Sequence, residues 1–365
     1  MAKELYKGNE ALAEAAVRAG CNIYAGYPIT PQSEILEYMS WRLPEVGRVF
    51  VQSESELAGI SMVFGAAATG CRALTSSSGP GYSLNQEGVS YIAACELPCV
   101  IVDVARYGAG LGDIWPAQGD YWQVTKGGGH GDYKVLAYAP ASVQEMADLT
   151  YEAFDKAEKY TNPVVILSDG IIGQMMEAVQ MPPMKTHDPN QFKWAMTGNT
   201  TGKHKIIMNP WMYSTEYSTE GVPEGVPAYE AHLRNKYIAM AEQEQKWESV
   251  EVEDAEVVLV SYGISSRICK DAVRIAREEG IKLGLIRPIS IYPFPNKAFE
   301  HLSADLKGFL AVEMSCLGQL QDDIRLASNC KATVDTYMSG IYVPNTEKIL
   351  SMAKNIIENN CKEVG

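Results

Sequence analysis

The sequence predicts an α/β fold, a parallel sheet covered on both faces and followed by a smaller α/β unit. Three observations predict it. From Cys21 to Asp169, short apolar runs of strand length alternate with amphipathic segments of helix length, the pattern of a doubly covered parallel sheet. The alternation dissolves between about Pro182 and Glu253 and resumes from Ala255 onward. A chain of 365 residues with 46% hydrophobic content is long enough for two cores, because single domains usually stop growing well short of that length.

The elements follow in chain order. A charged, alanine-rich helix, Glu10–Arg18, precedes the apolar strand Cys21–Ala25. Helix Ser33–Trp41 leads to strand Arg48–Gln52, and the glycine- and alanine-rich helix Glu54–Thr69 leads to strand Arg72–Ser76. Helix Tyr82–Cys95 and the long apolar strand Pro98–Val104 come next, then strand Val135–Tyr138, helix Ser142–Lys159 and strand Pro163–Leu167. Ser142 followed by Glu145 has the form of a capping box, which makes that helix start the sharpest boundary in the chain. The connection through PPMKTHDPN and STEGVPEGVPAYEAH carries one helical stretch, about His232–Trp247; connections of such length are usually functional or interfacial. The second unit reads as strands Ala255–Ser261, Lys282–Ile286, Phe309–Glu313 and Thr333–Tyr337 with helices Ser265–Glu279, Leu317–Ala327 and Glu347–Asn359. The expected division is 1–181, a linker and interface segment over 182–253, and 254–365.

Charge and composition exclude several functions. A formal net charge of −14 leaves no basic face for nucleic acid or an anionic membrane. No run of about 18 uninterrupted apolar residues occurs, and the opening MAKELYKGNEALAEAAVRAG is no signal peptide, so a cytoplasmic protein is expected. The eight cysteines are scattered, without the close spacing that zinc knuckles and iron–sulfur clusters need. They read as buried free thiols.

Phosphate-loop look-alikes fail on inspection. Gly198-Asn-Thr-Thr-Gly202-Lys203-His204 is one residue short of a P-loop and puts His204 where Ser or Thr must hold magnesium. Gly108-Ala-Gly110-Leu-Gly112 lacks the glycine spacing of a dinucleotide fingerprint. Gly127-Gly-Gly-His130-Gly131 follows no strand, and His130 has no partner histidine at metal spacing, so it reads as a solvated loop residue. No metal site is expected on this chain.

What remains lies at four successive strand ends, where open α/β sheets bind their ligands. Gly26-Tyr-Pro28-Ile-Thr30-Pro31 follows the first strand, Gln52-Ser-Glu54-Ser-Glu56 the second, Ser76-Ser-Ser-Gly79-Pro-Gly81 the third and Ala105-Arg106-Tyr107 the fourth. Each has a plain structural reading. Glu54 and Glu56 would offset a helix dipole, Thr30 would be a turn residue and Arg106 a surface ion pair. Small residues at Ala58, Gly59, Gly65 and Gly70 would pack closely around the helix start and leave Glu56 poorly solvated.

The ordered set YPITP, QSESELAG with GAAATG, TSSSGPG and VDVAR resembles the alpha subunit of the 2-oxoacid:ferredoxin oxidoreductases, thiamine-diphosphate enzymes. The likeness is strongest to the branched-chain type acting on 3-methyl-2-oxobutanoate. KLGLIRPISIYP (Lys282–Pro293) and AVEMSCLGQ (Ala311–Gln319) extend it to a transketolase C-terminal-like domain behind the thiamine pyrimidine-binding domain. The resemblance implies that Pro28 packs against the cofactor, that Thr30 hydrogen-bonds the oxoacid and that Arg106 holds its carboxylate by a bidentate pair. It makes Glu56, by its spacing to Gly65 and Gly70, the carboxylate facing N1′ of the aminopyrimidine. The reaction implied is oxidative decarboxylation of the oxoacid to an acyl-CoA, with coenzyme A as co-substrate and electrons leaving for ferredoxin.

The Gly-Asp-Gly segment through which thiamine enzymes hold diphosphate and Mg2+ is absent. Ser168-Asp169-Gly170 lacks the first glycine, Gly131-Asp132-Tyr133 the second, and Asn162 stands at a strand start by chance. The resemblance therefore implies a beta subunit carrying the diphosphate, Mg2+ and [4Fe-4S] parts, with gamma and ferredoxin-like delta subunits beside it. Alternatives are the same subunit acting on 2-oxoglutarate or pyruvate, a non-catalytic assembly subunit, and a transketolase-like or dehydrogenase E1 component, which YPITP disfavours.

Overall fold

The computed structural model describes residues 3–198 and 225–360. The rejected phosphate loop beyond Gly198, the STEGVPEG part of the connection up to Glu224 and Cys361 lie outside the described residues. The first unit comprises β1 (Glu4–Lys7), α1 (Gly8–Arg18), β2 (Ile23–Gly26), α2 (Ser33–Glu45), β3 (Val49–Gln52), α3 (Glu56–Ala68), β4 (Ala73–Ser77), α4 (Pro80–Ala94) and β5 (Cys99–Ala105). It continues with α5 (Tyr121–Thr125), β6 (Leu136–Tyr138), α6 (Val143–Tyr160), β7 (Pro163–Asp169), α7 (Gly170–Gln174) and β8 (Met176–Val179). After α8 (Gly225–Gln243) come β9 (Trp247–Val250), β10 (Val257–Val260), α9 (Gly263–Glu278), β11 (Leu283–Pro288), β12 (Ser290–Tyr292), β13 (Gly308–Glu313), α10 (Gln321–Ala327), β14 (Thr333–Met338) and α11 (Thr346–Asn360). Every strand expected from the sequence forms, each beginning within two residues of the expected start.

The larger sheet has seven strands in the order β12-β6-β7-β5-β4-β2-β3, all parallel except the edge strand β12. Apolar side chains of α1, α2 and α6 cover one face and those of α3 and α4 the other. The chain leaves β2 toward β3 over the first face and returns to β4 over the second. The order of travel thus reverses between β2 and β4, which makes that gap a topological switch point. The ladder opens there: β2 and β4 pair only at Ile23–Ala73 and Tyr24–Leu74, whereas β2 and β3 stay paired through Gly26–Gln52.

The second sheet has the order β14-β13-β10-β11-β9. Its antiparallel edge β9 lies in the segment expected to be linker, and β12 crosses back to the first sheet. One apolar cluster runs through both units, from Leu167 and Tyr121 to Val260, Phe309 and Leu320. Several expected helix limits shift: α2 runs on past Trp41 to Glu45, and α8 begins at Gly225, ahead of His232. α8 stops at Gln243 because Lys246 pairs through its main chain with Ile289 and Ser290. α10 starts at Gln321 because Gly318 takes φ +72, a conformation that favours glycine and does not continue a helix, with its N–H on Ser315 Oγ at 3.1 Å. At α6, Ser142 Oγ caps Glu145 N at 3.1 Å as expected, but Glu145 Oε2 receives Ala141 N instead of Ser142 N while both its oxygens accept the Arg287 fork of the second unit. No helix among the described residues is long and apolar enough to cross a membrane.

Candidate active site

The switch point is lined by the four loops singled out in the sequence, and their strands β3, β2, β4 and β5 are neighbours in the sheet. The loop after β2 offers few N–H groups, since Pro28 and Pro31 have none; it is held by its carbonyls. Gln32 Nε2 donates to Tyr27 O at 3.0 Å, Gln32 N to Ile29 O at 3.1 Å, Arg106 Nη1 to Thr30 O at 3.0 Å, and Asn9 and Gln174 to Pro31 O at 2.8 and 3.1 Å. Gln32 is fixed in turn by Ser76 Oγ at 2.5 Å, which lies 2.7 Å from Tyr24 Oη. The Thr30–Pro31 peptide is cis. Thr30 and Pro28 are exposed, and the Thr30 hydroxyl bonds nothing among the described residues.

Glu56 is the first residue of α3, behind the N-cap Ser55, whose Oγ accepts from Ala58 N. It is 7% exposed, whereas Glu54 stands in solvent; of the two carboxylates only Glu56 turns into the crevice. The packing that shelters it differs from expectation. A methyl group placed on Gly65 would meet nothing within 4 Å, and one on Gly70 would meet Pro189 O at the far end of the helix. Gly59 packs on Ala25 O and Gly26 Cα as expected. The decisive glycine is Gly81 on α4, where a Cβ would fall 2.2 Å from both Glu56 Oε1 and Ser77 Oγ. Ser77 Oγ, Ser78 Oγ and both side-chain polar atoms of Asn85 are buried nearby on the same β4–α4 stretch without hydrogen-bond partners. Such orphans are rare in finished interiors, and with Glu56 they fit a polar heterocycle such as an aminopyrimidine.

Arg106 is 8% exposed and forms no ion pair among the described residues, so it is not a surface salt bridge. Beyond Thr30 O it donates from Nη2 to Leu111 O at 2.7 Å, while its Nε is buried without a partner. Three of its five N–H groups remain available. The Leu111 bond pins a flap, Tyr107–Trp115, closed by Tyr107 N on Trp115 O and Asp113 N on Tyr107 O, both 2.8 Å. Gly112 has to be glycine there, since its φ is +63 and a Cβ would lie 2.3 Å from Tyr107 O. Leu111, Ile114 and Trp115 stand out into solvent, Leu111 by 82%.

Sequence reasoning missed Asn9, Gln32, Gly81, Asp103 and Asp120. Asp103 had a readable signal, a charge inside the apolar run Cys99–Ala105. It is fully buried, and neither oxygen receives an N–H or O–H in normal geometry. Burial and the neighbouring carboxylate hold the Asp103 carboxyl well above the usual range. Burial also pushes Asp120 up, to about 6, against the pull of Asp103 and Arg106.

Among the described residues no three His, Cys, Asp or Glu side chains converge where a metal could sit. Asp169 is fully engaged: Oδ1 caps Ile171 and Ile172 of α7, and Oδ2 accepts Ile264 N of the second unit at 3.1 Å. Asn162 Nδ2 is spent on Lys134 O and Pro163 O, and His130 is an exposed loop residue.

An open parallel sheet with a sheltered carboxylate and an arginine at its switch point belongs here to a thiamine-binding class. Residues 14–243 match the family model of the thiamine diphosphate-binding domain of pyruvate flavodoxin/ferredoxin oxidoreductase, and residues 255–343 match core domain II of pyruvate:ferredoxin oxidoreductase. The chain belongs to this family of thiamine-diphosphate-dependent 2-oxoacid:ferredoxin oxidoreductases, as a subunit of the alpha type. It is 49% identical to ketoisovalerate oxidoreductase subunit VorB of Methanothermobacter thermautotrophicus over 91% of either chain. It is 36% identical to 2-oxoglutarate synthase subunit KorA of Archaeoglobus fulgidus over 97% of this chain and 99% of that one. The 2-oxoglutarate:ferredoxin oxidoreductase of Magnetococcus marinus, solved with 2-oxoglutarate, coenzyme A and succinyl-CoA bound, superposes with a TM-score of 0.84 at 26% identity over 97% of this chain. The present chain spans 65% of that longer one.

Proposed function

We propose that this chain is the alpha subunit of an oxidoreductase that oxidatively decarboxylates a branched-chain 2-oxoacid, 3-methyl-2-oxobutanoate, to its acyl-CoA and passes the electrons to ferredoxin in the cytoplasm. The observation that carries the reading is the convergence of Glu56, Thr30 and Arg106 on one switch point. The branched-chain assignment is supported by the 49% identity to a ketoisovalerate oxidoreductase subunit, against 36% to a 2-oxoglutarate synthase subunit. The division at 1–181, 182–253 and 254–365 is part of the proposal.

Thiamine diphosphate, when bound, supplies the carbon nucleophile and the electron sink for decarboxylation. This chain's residues prepare its aminopyrimidine end and the substrate. Glu56 exchanges a proton with N1′, in a crevice where low solvation strengthens the contact. Pro28 offers its exposed ring to the cofactor. The Thr30 hydroxyl, pre-set by a loop held through the carbonyls of Tyr27, Ile29, Thr30 and Pro31, bonds the oxoacid at small entropic cost. Arg106 grips the oxoacid carboxylate with the N–H groups it has left.

The diphosphate, Mg2+ and [4Fe-4S] are assigned to a beta subunit, with gamma and delta subunits completing the complex. The exposed apolar flap around Leu111, with exposed Tyr27 and Leu57, supports a partner seated over the crevice. The test is kcat/KM of the purified complex for 3-methyl-2-oxobutanoate, 2-oxoglutarate and pyruvate with coenzyme A and a viologen acceptor. Preference for the branched acid is expected. Preference for either rival reassigns the substrate, and no oxoacid-dependent reduction makes the chain an assembly subunit.

A further inference from the structure

The second unit has a switch point of its own. From β10 the chain passes through α9 to β11 on one side and comes back to β13 on the other, so the carboxyl ends of β10 and β13 frame the crevice where an open sheet holds a ligand. That crevice is filled from the first unit. The side chain of Gln118, 2% exposed, enters it with both polar atoms paired: Nε2 donates to Tyr262 O at 2.9 Å, and Oε1 accepts Ser265 Oγ at 2.7 Å and Met314 N at 2.9 Å. Its main chain is held as well. Gln118 N donates to Met314 O at 2.7 Å, Tyr262 Oη to Gln118 O at 3.0 Å, and Gln319 Nε2 to Gly119 O at 2.6 Å. An amide of the chain itself thus takes the place that a ligand would have.

We infer that Gln118 is a positioning residue through which the second unit fixes Arg106 for the oxoacid. This rests on the reading of Arg106 as the carboxylate-binding residue. Gln118 ends the second leg of the flap that Arg106 begins. Two residues before it, Pro116 pairs with Arg106 in an isolated bridge; Trp115 O accepts Tyr107 N at 2.8 Å, and Leu111 O accepts Arg106 Nη2 at 2.7 Å. One leg is therefore rooted in β5 and the other is pinned to the second unit. A guanidinium meets a carboxylate as a fork only when its plane is fixed, and the Leu111 anchor is as firm as the leg behind it. Docking of the units does not by itself require Gln118, since the Arg287 fork on Glu145 joins the same two units through no flap residue.

The experiment measures KM and kcat for the oxoacid, KM for coenzyme A and limited proteolysis within Tyr107–Trp115, all in the complete complex. Gln118→Met keeps the side-chain volume and loses its three bonds. Oxoacid KM should rise roughly ten- to hundredfold, the range for one lost hydrogen bond to a charged group, with kcat and the KM for coenzyme A changed far less and the flap cut faster. Ser265→Ala removes one bond from the other side of the socket and should raise oxoacid KM by roughly two- to tenfold, the range for a neutral bond. Glu145→Gln weakens the Arg287 fork, so it should lower the melting temperature and leave oxoacid KM native. A native oxoacid KM in both socket variants overturns the inference, and Ser265→Ala decides alone where Gln118→Met does not assemble. A rise in Glu145→Gln equal to that in Gln118→Met also overturns it, because loosened docking would then be the whole effect. Arg106→Lys in the same assay separates the two readings: a native KM there defeats the carboxylate-binding role and the inference with it, whereas a raised KM there beside native socket variants defeats the inference alone.

Discussion

Gly81→Ala tests the crevice with one methyl group. The new Cβ would stand 2.2 Å from Glu56 Oε1 and 2.2 Å from Ser77 Oγ, and even 3.0 Å is closer than real Cβ atoms come. Glu56 must therefore retreat by about 0.8 Å at the least, since Gly81 is anchored in α4 through Gly81 N on Ser78 O at 3.0 Å. A displacement near 1 Å of a group that must meet its partner in a defined geometry costs about 10²-fold in rate. Stability should hardly change, because alanine in a helix is favoured over glycine by about 0.5–1 kcal/mol, which offsets part of the local strain. Two other glycines calibrate the result. Gly88→Ala would press on the buried Ile60, 2.6 Å from its Cγ1, and should cost about 1–3 kcal/mol by overpacking with little loss of activity per folded molecule. Gly65→Ala meets nothing within 4 Å and should leave the lone chain as stable or slightly more so. The assay is oxoacid-dependent viologen reduction by the complex alongside thermal melting of the chain. Full activity in Gly81→Ala would refute the placement of Glu56 at the reacting centre, and activity lost only in step with stability would make Gly81 a folding residue.

Four further outcomes are expected. Glu56→Gln should keep the fold and lose about 10²-fold or more in turnover, while Glu54→Gln, in solvent, should be near native; the reverse result moves the role to Glu54. Arg106→Lys should raise KM for the oxoacid and, by giving up one of its two main-chain carbonyls, speed proteolysis within Tyr107–Trp115, with thiamine affinity changed little. Glu14 is buried, which alone would raise its pKa, but bonds from Arg42 and Arg18 outweigh burial and lower it. The stability it contributes is present above the ordinary glutamate range and lost as pH falls through the depressed value. Glu14→Gln should cost about 3 kcal/mol near neutral pH and flatten the acid limb of a melting profile; an unflattened limb assigns acid sensitivity elsewhere. Titration of the lone chain with thiamine diphosphate and Mg2+ should show weak binding that the partner subunit makes tight, and strong magnesium-dependent binding by the lone chain would reveal a diphosphate site on it.

The parallel strands were legible because burial on both faces writes them as unbroken apolar runs, as in Cys99–Ala105. β1, β8, β9 and β12 were not. Each is three or four residues long, and β12 pairs with β6 across some 150 residues of chain, a partnership no local pattern records. The site divides in the same way. Thr30, Glu56 and Arg106 could be placed at the switch point from the sequence because each lies within four residues of its strand's end. Asn9 and Gln174 reach Pro31 O from α1 and α7, so their roles exist only after folding. Gly65 and Gly81 show the limit of composition: the first looked structural and touches nothing, while the second, half-hidden in a GPG turn, decides where the Glu56 carboxylate sits.

The two prolines around Ile29 and Thr30 have a consequence beyond stiffness. Proline removes donors but leaves carbonyls, so this loop can be fixed only by groups that reach it from elsewhere, and Asn9, Gln32, Gln174 and Arg106 supply them from four parts of the chain. Because one of those groups is Arg106, the residue proposed to grip the oxoacid also holds the main chain of the one proposed to bond it. Thr30 O and Leu111 O share the same guanidinium. Threonine loop and apolar flap therefore meet at one side chain. A perturbation of either must be felt by the other, which is why the proteolysis of the flap is informative about a site whose remaining wall is proposed to belong to another subunit.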